Sequence, residues 1–198
     1  NTPIVSDGTV VTYYYKNKNE EHTHTWSAWK YNNDAVYNSS SDYKDGTQTR
    51  TCSACGESET KEAPNTALLR RRGNALSLES SITLATYITK DVVDYYDEVY
   101  AEFTRNGKTE KVYPSGKTLT SNSIVYCIFD YTGISPQALG DDVSITFYGV
   151  KDGVTYNGNA YKYSATDYIK STLNKPTSSA KLKTLLVDLV YYGEACQV

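Results

Sequence analysis

The sequence predicts a mainly β (α+β) protein: an antiparallel β-sandwich with a C-terminal two-helix tail, preceded by a small zinc-ribbon-like β domain. Three observations predict it. Aromatic usage is lopsided, with 20 tyrosines against 3 phenylalanines and no methionine, and tyrosine favours strands because its ring packs while its hydroxyl reaches water. Short apolar runs of period 2 recur between turn dipeptides, the pattern of a sandwich. Near Tyr163 the apolar period changes from 2 to 3.6, which marks helices. The expected division is a small β domain at 1–62, a linker at 63–73, and the sandwich with its helices at 74–198.

In chain order, Thr9-Val10-Val11-Thr12-Tyr13-Tyr14-Tyr15 reads as a strand, either the first of the small domain or the tail of a preceding module. Then comes the stretch His22 to Gly56, which holds both histidines, both tryptophans and two of the four cysteines. Residues i and i+2 of a strand share a face, so His22 and His24 present both imidazoles to one side, with Trp26 next along it. Cys52-Ser53-Ala54-Cys55-Gly56 reads as a knuckle in which a tight turn brings two thiolates together and glycine accepts a positive φ. Two nitrogens and two sulfurs form a closed tetrahedral set, the structural rather than the catalytic zinc arrangement. The alternatives at this point are a Cys52–Cys55 disulfide, or free thiols beside two surface histidines. To bring the two halves together the chain must fold back, and Lys44-Asp45-Gly46-Thr47 is the expected hairpin turn because Asp-Gly favours type I′ loops. The Ser/Asn/Asp-rich stretch from Asn32 to Lys44 has no periodicity and reads as loop. Residues 1–65 carry too few apolar side chains to fill a core, so a metal or disulfide staple is expected.

Residues 61–73 break the strand pattern, and the arginine triplet Arg70-Arg71-Arg72 reads as an exposed connector. Leu76, Leu78, Ile82, Leu84, Tyr87 and Ile88 mark one or two strands. Val99 to Phe103 and Lys108 to Tyr113 flank Arg105-Asn106-Gly107, and Val143 to Val150 and Val154 to Tyr156 flank Asp152-Gly153, both hairpin signals. Ser123 to Asp130 is a strand with Val125, Cys127 and Phe129 on one face. Ser164-Ala165-Thr166-Asp167 opens a helix in the manner of a capping box; Ala165, Tyr168, Ile169 and Leu173 form its stripe, and Pro176 ends it. A second helix carries Leu182, Leu185, Leu186, Leu189 and Val190 as an amphipathic stripe with Gly193 as C-cap, and both stripes are expected on the apolar sheet face. Cys127 and Cys196 are expected close together in one core, either bridged, closing a loop of about 70 residues worth about 4 kcal/mol, or as ordinary free thiols.

Charge and composition exclude some functions. A net charge of −3 with interspersed signs and no basic face argues against nucleic acid as a partner. No apolar run approaches the ~20 residues of a membrane helix. The start at Asn1 fits a fragment of a longer chain. Abundant Thr, Ser and Asn read as extracellular and bacterial. No nucleophile elbow or phosphate-cradling loop occurs, and both histidines are taken by the metal reading, so a non-catalytic protein is expected. The enzymatic alternative is a small glycan-active enzyme built on a carboxylate pair drawn from Asp94, Asp97, Glu98, Glu102, Asp141 and Asp142. Aromatic rings suit the apolar faces of sugars, which makes a polysaccharide or host glycan the expected ligand, with Trp29, Tyr95 and Tyr96 as its binding residues. A passive spacer presenting other domains explains the same sequence without any site.

The pattern His-x-His-x-Trp, followed by Asp-Gly-Thr-x-Thr-Arg-Thr-Cys-x-x-Cys-Gly, resembles short repeats of large surface proteins of gut Clostridia. Gly73-Asn74-Ala75-Leu76-Ser77-Leu78, Tyr163-Ser164-Ala165-Thr166-Asp167-Tyr168 and Tyr191-Tyr192-Gly193-Glu194-Ala195-Cys196-Gln197 resemble a module that follows such repeats. The two resemblances cover roughly residues 20–62 and 73–197. They imply a cell-surface location within a larger protein and carry no activity.

Overall fold

The computed structural model describes residues 22–78 and 81–196; the strand expected at Thr9 to Tyr15 lies outside them. The protein is mostly β, with a pair of helices at the C-terminal end. The first sheet has three strands in the order β1-β4-β5, formed by Lys30–Tyr31, Gly46–Thr51 and Ser58–Ala63. Between β1 and β4 a separate short hairpin joins β2 (Val36–Ser39) to β3 (Asp42–Lys44), with Tyr37 and Tyr43 stacked at 6.0 Å. The Asn32 to Lys44 stretch is therefore not all loop: the cross-strand tyrosine pair, the Asn38–Asp42 hydrogen bond and the packing of Arg70 on Tyr37 hold a hairpin there.

Asp45-Gly46 is not the hairpin turn its dipeptide predicts. The Asp45 carboxylate instead accepts the backbone N–H groups of Asn65 and Ala67, both at 2.9 Å. Gly46 is already in β4, where an added Cβ would lie 2.6 Å from the Tyr31 ring. The chain folds back at the β2–β3 hairpin.

The sandwich faces one sheet on another. Its four-stranded sheet has the order β10-β11-β7-β6, from Thr118–Ser121, Ile124–Ile134, Ile82–Thr89 and Gly73–Leu78. The other is built around β12 (Val143–Lys151) and β8 (Glu98–Arg105), with β9 (Lys108–Val112) beyond β8. β13 (Val154–Asn157) and β14 (Tyr161–Tyr163) share the far edge of β12. All pairings are antiparallel. The two predicted hairpins form where the turn dipeptides place them, Asn106-Gly107 and Asp152-Gly153 all having positive φ, as type I′ loops require. The short helix α1 (Lys90–Tyr95) carries the chain from β7 in one sheet to β8 in the other; it buries Val92 and has a Lys90–Asp94 ion pair on its outer side.

Alternation along β8, β11 and β12 fills the core between the sheets. The only three phenylalanines, Phe103, Phe129 and Phe147, are at most 1% exposed. Phe129 of β11 meets Phe147 of β12 edge-to-face at 5.2 Å, and Phe103 of β8 stacks on Tyr131 of β11 at 4.9 Å. Cys127 lies on this inner face, as its alternation predicts.

The helical tail opens with the expected capping box. In α2 (Ala165–Leu173) the Ser164 hydroxyl accepts from the Asp167 N–H, and the Asp167 carboxylate accepts from the Ser164 N–H. This helix packs on β6, whereas α3 (Ala180–Ala195) packs mainly on α2 and on the 3-10 turn Pro136–Ala138, with Leu189 reaching the sandwich core. Gly193 is not a C-cap: it lies inside α3, where a Cβ would come 2.6 Å from the carbonyl oxygen of Pro136. Its missing side chain lets the helix approach the turn. Of the leucine stripe only Leu186 is fully buried, and Leu185 is 50% exposed. Leu186→Ala is expected to destabilise by about 2 to 5 kcal/mol, measured as a lower denaturant midpoint with unchanged slope.

Cys127 and Cys196 are unbridged. The expectation that they lie close together is corrected by topology. α3 ends beside Pro136, past the end of β11, while Cys127 sits near the strand's start. At ~3.3 Å per residue the two ends are roughly 20 Å apart along β11.

Residues 63–73 are not an exposed connector. Ala63 and Leu69 are 0% exposed and Thr66 is 1%. The Thr66 hydroxyl accepts from the Gly46 N–H at 2.8 Å and donates to the Ala63 carbonyl at 2.7 Å. From the other side, Tyr156 packs edge-on against Tyr31 at 5.2 Å and donates to Gln48 Oε1 at 3.0 Å. The segment is thus a packed seam between the small sheet and the sandwich.

Candidate metal centre

The far end of the small sheet, away from this seam, brings the four predicted ligands together. The segment 22–29 runs antiparallel beside the end of β4. Trp26 forms a bridge with Cys52, Ser27 N–H donates to the Thr51 carbonyl at 3.0 Å, and Ser53 N–H to the Thr25 carbonyl at 2.9 Å. The turn between β4 and β5 is the knuckle itself, closed by Gly56 N–H donating to the Cys52 carbonyl at 2.9 Å and Cys52 N–H to the Glu57 carbonyl at 2.8 Å. Gly56 takes φ 76° there, as expected for a residue without Cβ.

Within this frame Cys52 Sγ lies 3.7 Å from His22 Nε2, and Cys55 Sγ lies 3.6 Å from His24 Nδ1. All four ligand atoms fall within 4.8 Å of one another, close enough to hold a metal ion. Cys52 is 1% exposed, while Cys55 and His22 are at the surface. The imidazoles meet at 61° with centroids 4.5 Å apart, and His24 stacks on Trp26 at 4.7 Å, so strand alternation puts all three rings on one side. Burial raises the Cys52 pKa, but the Cys55 N–H and the His22 and His24 side chains favour the thiolate more strongly, and the net pKa is lowered to about 5. The metal-binding form of this sulfur is therefore the resting form at neutral pH.

Sequence reasoning missed Glu57. Its carboxylate lies 3.5 Å from His24 Nε2, the nitrogen turned away from Cys55. A carboxylate on the outer nitrogen fixes the tautomer and leaves Nδ1 as the ligand. The signal available was an acid directly after Cys-x-x-Cys-Gly. Arg50, on the other side of Trp26, lies 4.7 Å from both the Trp26 and Trp29 ring centroids and pairs with Glu59 at 2.6 Å.

The predicted sugar-binding rings do not form one site. Trp29 is on the small sheet, half-buried, with Arg50 and Lys61 already over its ring at 4.7 and 4.3 Å. Tyr96 is 6% exposed and donates to the Pro64 carbonyl at 3.2 Å. Burial raises its pKa. A ring so enclosed has no face for a ligand, because its neighbours Tyr95 and Tyr156 occupy it. Tyr95 is half-buried, perpendicular to Tyr96 at 5.0 Å.

Five of the six acids considered for catalysis are also engaged, Asp94 by its pair with Lys90. Asp97 pairs with Lys151 at 2.9 Å, Glu98 with Lys111 at 2.8 Å, and Asp142 with Lys162 at 4.0 Å, while Asp141 accepts from Asn106 at 2.9 Å. Bonds from Lys151 to Asp97 and from Lys111 to Glu98 lower both acids' pKa values.

No helix among the described residues is long and apolar enough to cross a membrane. No protein-family model and no curated protein matches this chain.

Proposed function

We propose that the chain is a non-catalytic extracellular module of a bacterial cell-surface protein, with a binding or adhesive role and with one structural zinc ion stapling its small sheet. The observation that carries the reading is the closed four-ligand set. Zn–S bonds of about 2.3 Å and Zn–N bonds of about 2.05 Å at tetrahedral corners place sulfur and nitrogen about 3.6 Å apart. The two S···N separations are 3.7 and 3.6 Å. Two thiolates neutralise the charge of Zn²⁺, and four protein ligands leave no corner for a reacting water. The sheet also needs such a staple: within β4 and β5 only Gly46, Gln48 and Ala63 are buried, all at the seam end.

Asp97 and Glu98 are unsuited to the general-acid role, since bonds from Lys151 and Lys111 lower their pKa values where a glycosidase acid needs the opposite shift. The extracellular location rests on the Tyr/Thr/Ser/Asn-rich composition and on the surface-protein resemblance.

Protein purified without added metal is expected to contain one zinc per chain by elemental analysis, and Cys52→Ser is expected to lower that content severalfold. Zinc well below one per chain together with a Cys52–Cys55 disulfide would sink the metal reading. Protease shaving of intact cells tests the location, and a glycan array tests the binding role. Protection from the protease, or an array without signal, would count against the respective half of the proposal.

A further inference from the structure

Among the described residues the arginine triplet serves neither the four-ligand cluster nor any ion pair. Among the described residues the ion pairs involve His24, Arg50, Lys90, Lys111, Lys117, Lys151 and Lys162, and none involves residues 70–72. Arg70 is half-buried, with its guanidinium 3.6 Å from the Tyr37 ring centroid and its Nη1 shielded from solvent without a hydrogen-bond partner. Arg71 lies 4.7 Å from the Tyr161 centroid. Both line a cleft of about 290 Å³ between the β2–β3 hairpin, the seam and the residues leading into β14. Burying a cation without a counter-charge is costly. Burial lowers the Arg70 pKa, Tyr37 opposes that shift in part, and the like charges of Arg72 and Arg71 lower it further. The aromatic faces offset part of that cost, and the remainder is what an anion in the cleft would cancel.

We propose that this cleft binds the carboxylate of a uronic-acid sugar, with Arg70 and Arg71 holding the carboxylate and with the Asn159 side-chain amide and the Oδ1 atoms of Asn38 and Asn157 meeting the ring hydroxyls. The Nδ2 groups of Asn38 and Asn157 are engaged by Asp42 and by Asn33 and Gly158 respectively. A planar guanidinium fork matches a carboxylate in two-point contact. The volume is at the small end of ligand pockets, which suits one sugar unit rather than a chain of them. Amide and hydroxyl groups outnumber the cations in the lining, and a bare inorganic anion would leave them unused. The inference deepens the binding role proposed above and is independent of the metal.

The test is calorimetric titration of the full chain with sodium glucuronate, with glucose and inorganic phosphate as controls. Glucuronate is expected to bind at least tenfold more tightly than either. Arg71→Gln and Arg70→Gln are each expected to weaken it tenfold or more. Because Arg70 also packs on Tyr37, Asn159→Ala at an exposed position gives a second reading free of folding effects, expected as a several-fold loss with unchanged melting. Glucose or phosphate binding as tightly as glucuronate, no saturable binding of glucuronate, or unchanged affinity in Arg71→Gln overturns the proposal. A glycan array positive for neutral glycans together with a failed glucuronate titration would reject this cleft and leave the binding role standing.

Discussion

With the proposed zinc in place, its removal by a strong chelator is expected to unlace the outer end of the small sheet and leave the sandwich folded. Metal ligation in small zinc modules supplies an apparent ~10 to 16 kcal/mol of folding free energy at neutral pH, against about 1 kcal/mol for a typical hydrogen bond. At the outer end there is little else. The segment 22–29 is held to β4 by a few backbone bonds and by ring contacts around Arg50. The inner end differs, because Gly46, Gln48 and Ala63 are tied to Thr66 and Tyr156. Hydrogen exchange should therefore show a gradient along β4. The amides of Ser27, Cys52 and Ser53 lose protection when the metal leaves, those near Gly46 lose little, and those around Phe147 lose none. Simultaneous loss of protection in small sheet and sandwich would contradict this, as would an unchanged exchange pattern after verified zinc removal.

Phe129→Ala is expected to cost about 3 to 5 kcal/mol, the range for truncating a buried phenylalanine, and to lower the melting temperature by about 10 °C. Phe129 is 0% exposed and meets Phe147 across the sandwich. Its removal leaves a cavity between two sheets whose strands are fixed by long antiparallel ladders, so the walls cannot easily collapse. Tyr113→Ala is the comparison, since that ring is 51% exposed and its loss should cost under ~1 kcal/mol. A small effect of Phe129→Ala would mean that the sheets are not packed face to face.

What was legible in the sequence was local. Asn106-Gly107 and Asp152-Gly153 specify their hairpins through the backbone of two residues, and Ser164 with Asp167 caps its helix through bonds three residues apart. The four-residue His/Cys cluster was legible because soft donors are rare and concentrated. Asp45-Gly46 looks the same as Asp152-Gly153 in sequence, yet Asp45 is taken by amides 20 and 22 residues further on. No dipeptide rule sees such a partner. β10 escaped because all four of its residues are exposed and it has no apolar alternation. Tyr95 and Tyr96 are adjacent and chemically alike, and which of them turns inward depends on Gly149, over whose Cα the Tyr96 ring lies. That choice is made by a strand more than 50 residues away.

The approach of Gly158 to Leu69 bears on how this protein can be cut and recombined. A Cβ on residue 158 would sit 1.7 Å from the Leu69 carbonyl oxygen, a clash no side-chain adjustment relieves because both partners are backbone. The two β parts consequently fit each other as lock and tumbler and are not exchangeable cassettes. Grafting the hairpins that carry the His/Cys cluster onto a different sandwich requires residues 63–69 and a side-chain-free position facing them to travel together. Trimming the chain at residue 74 would remove the strip against which that position was shaped.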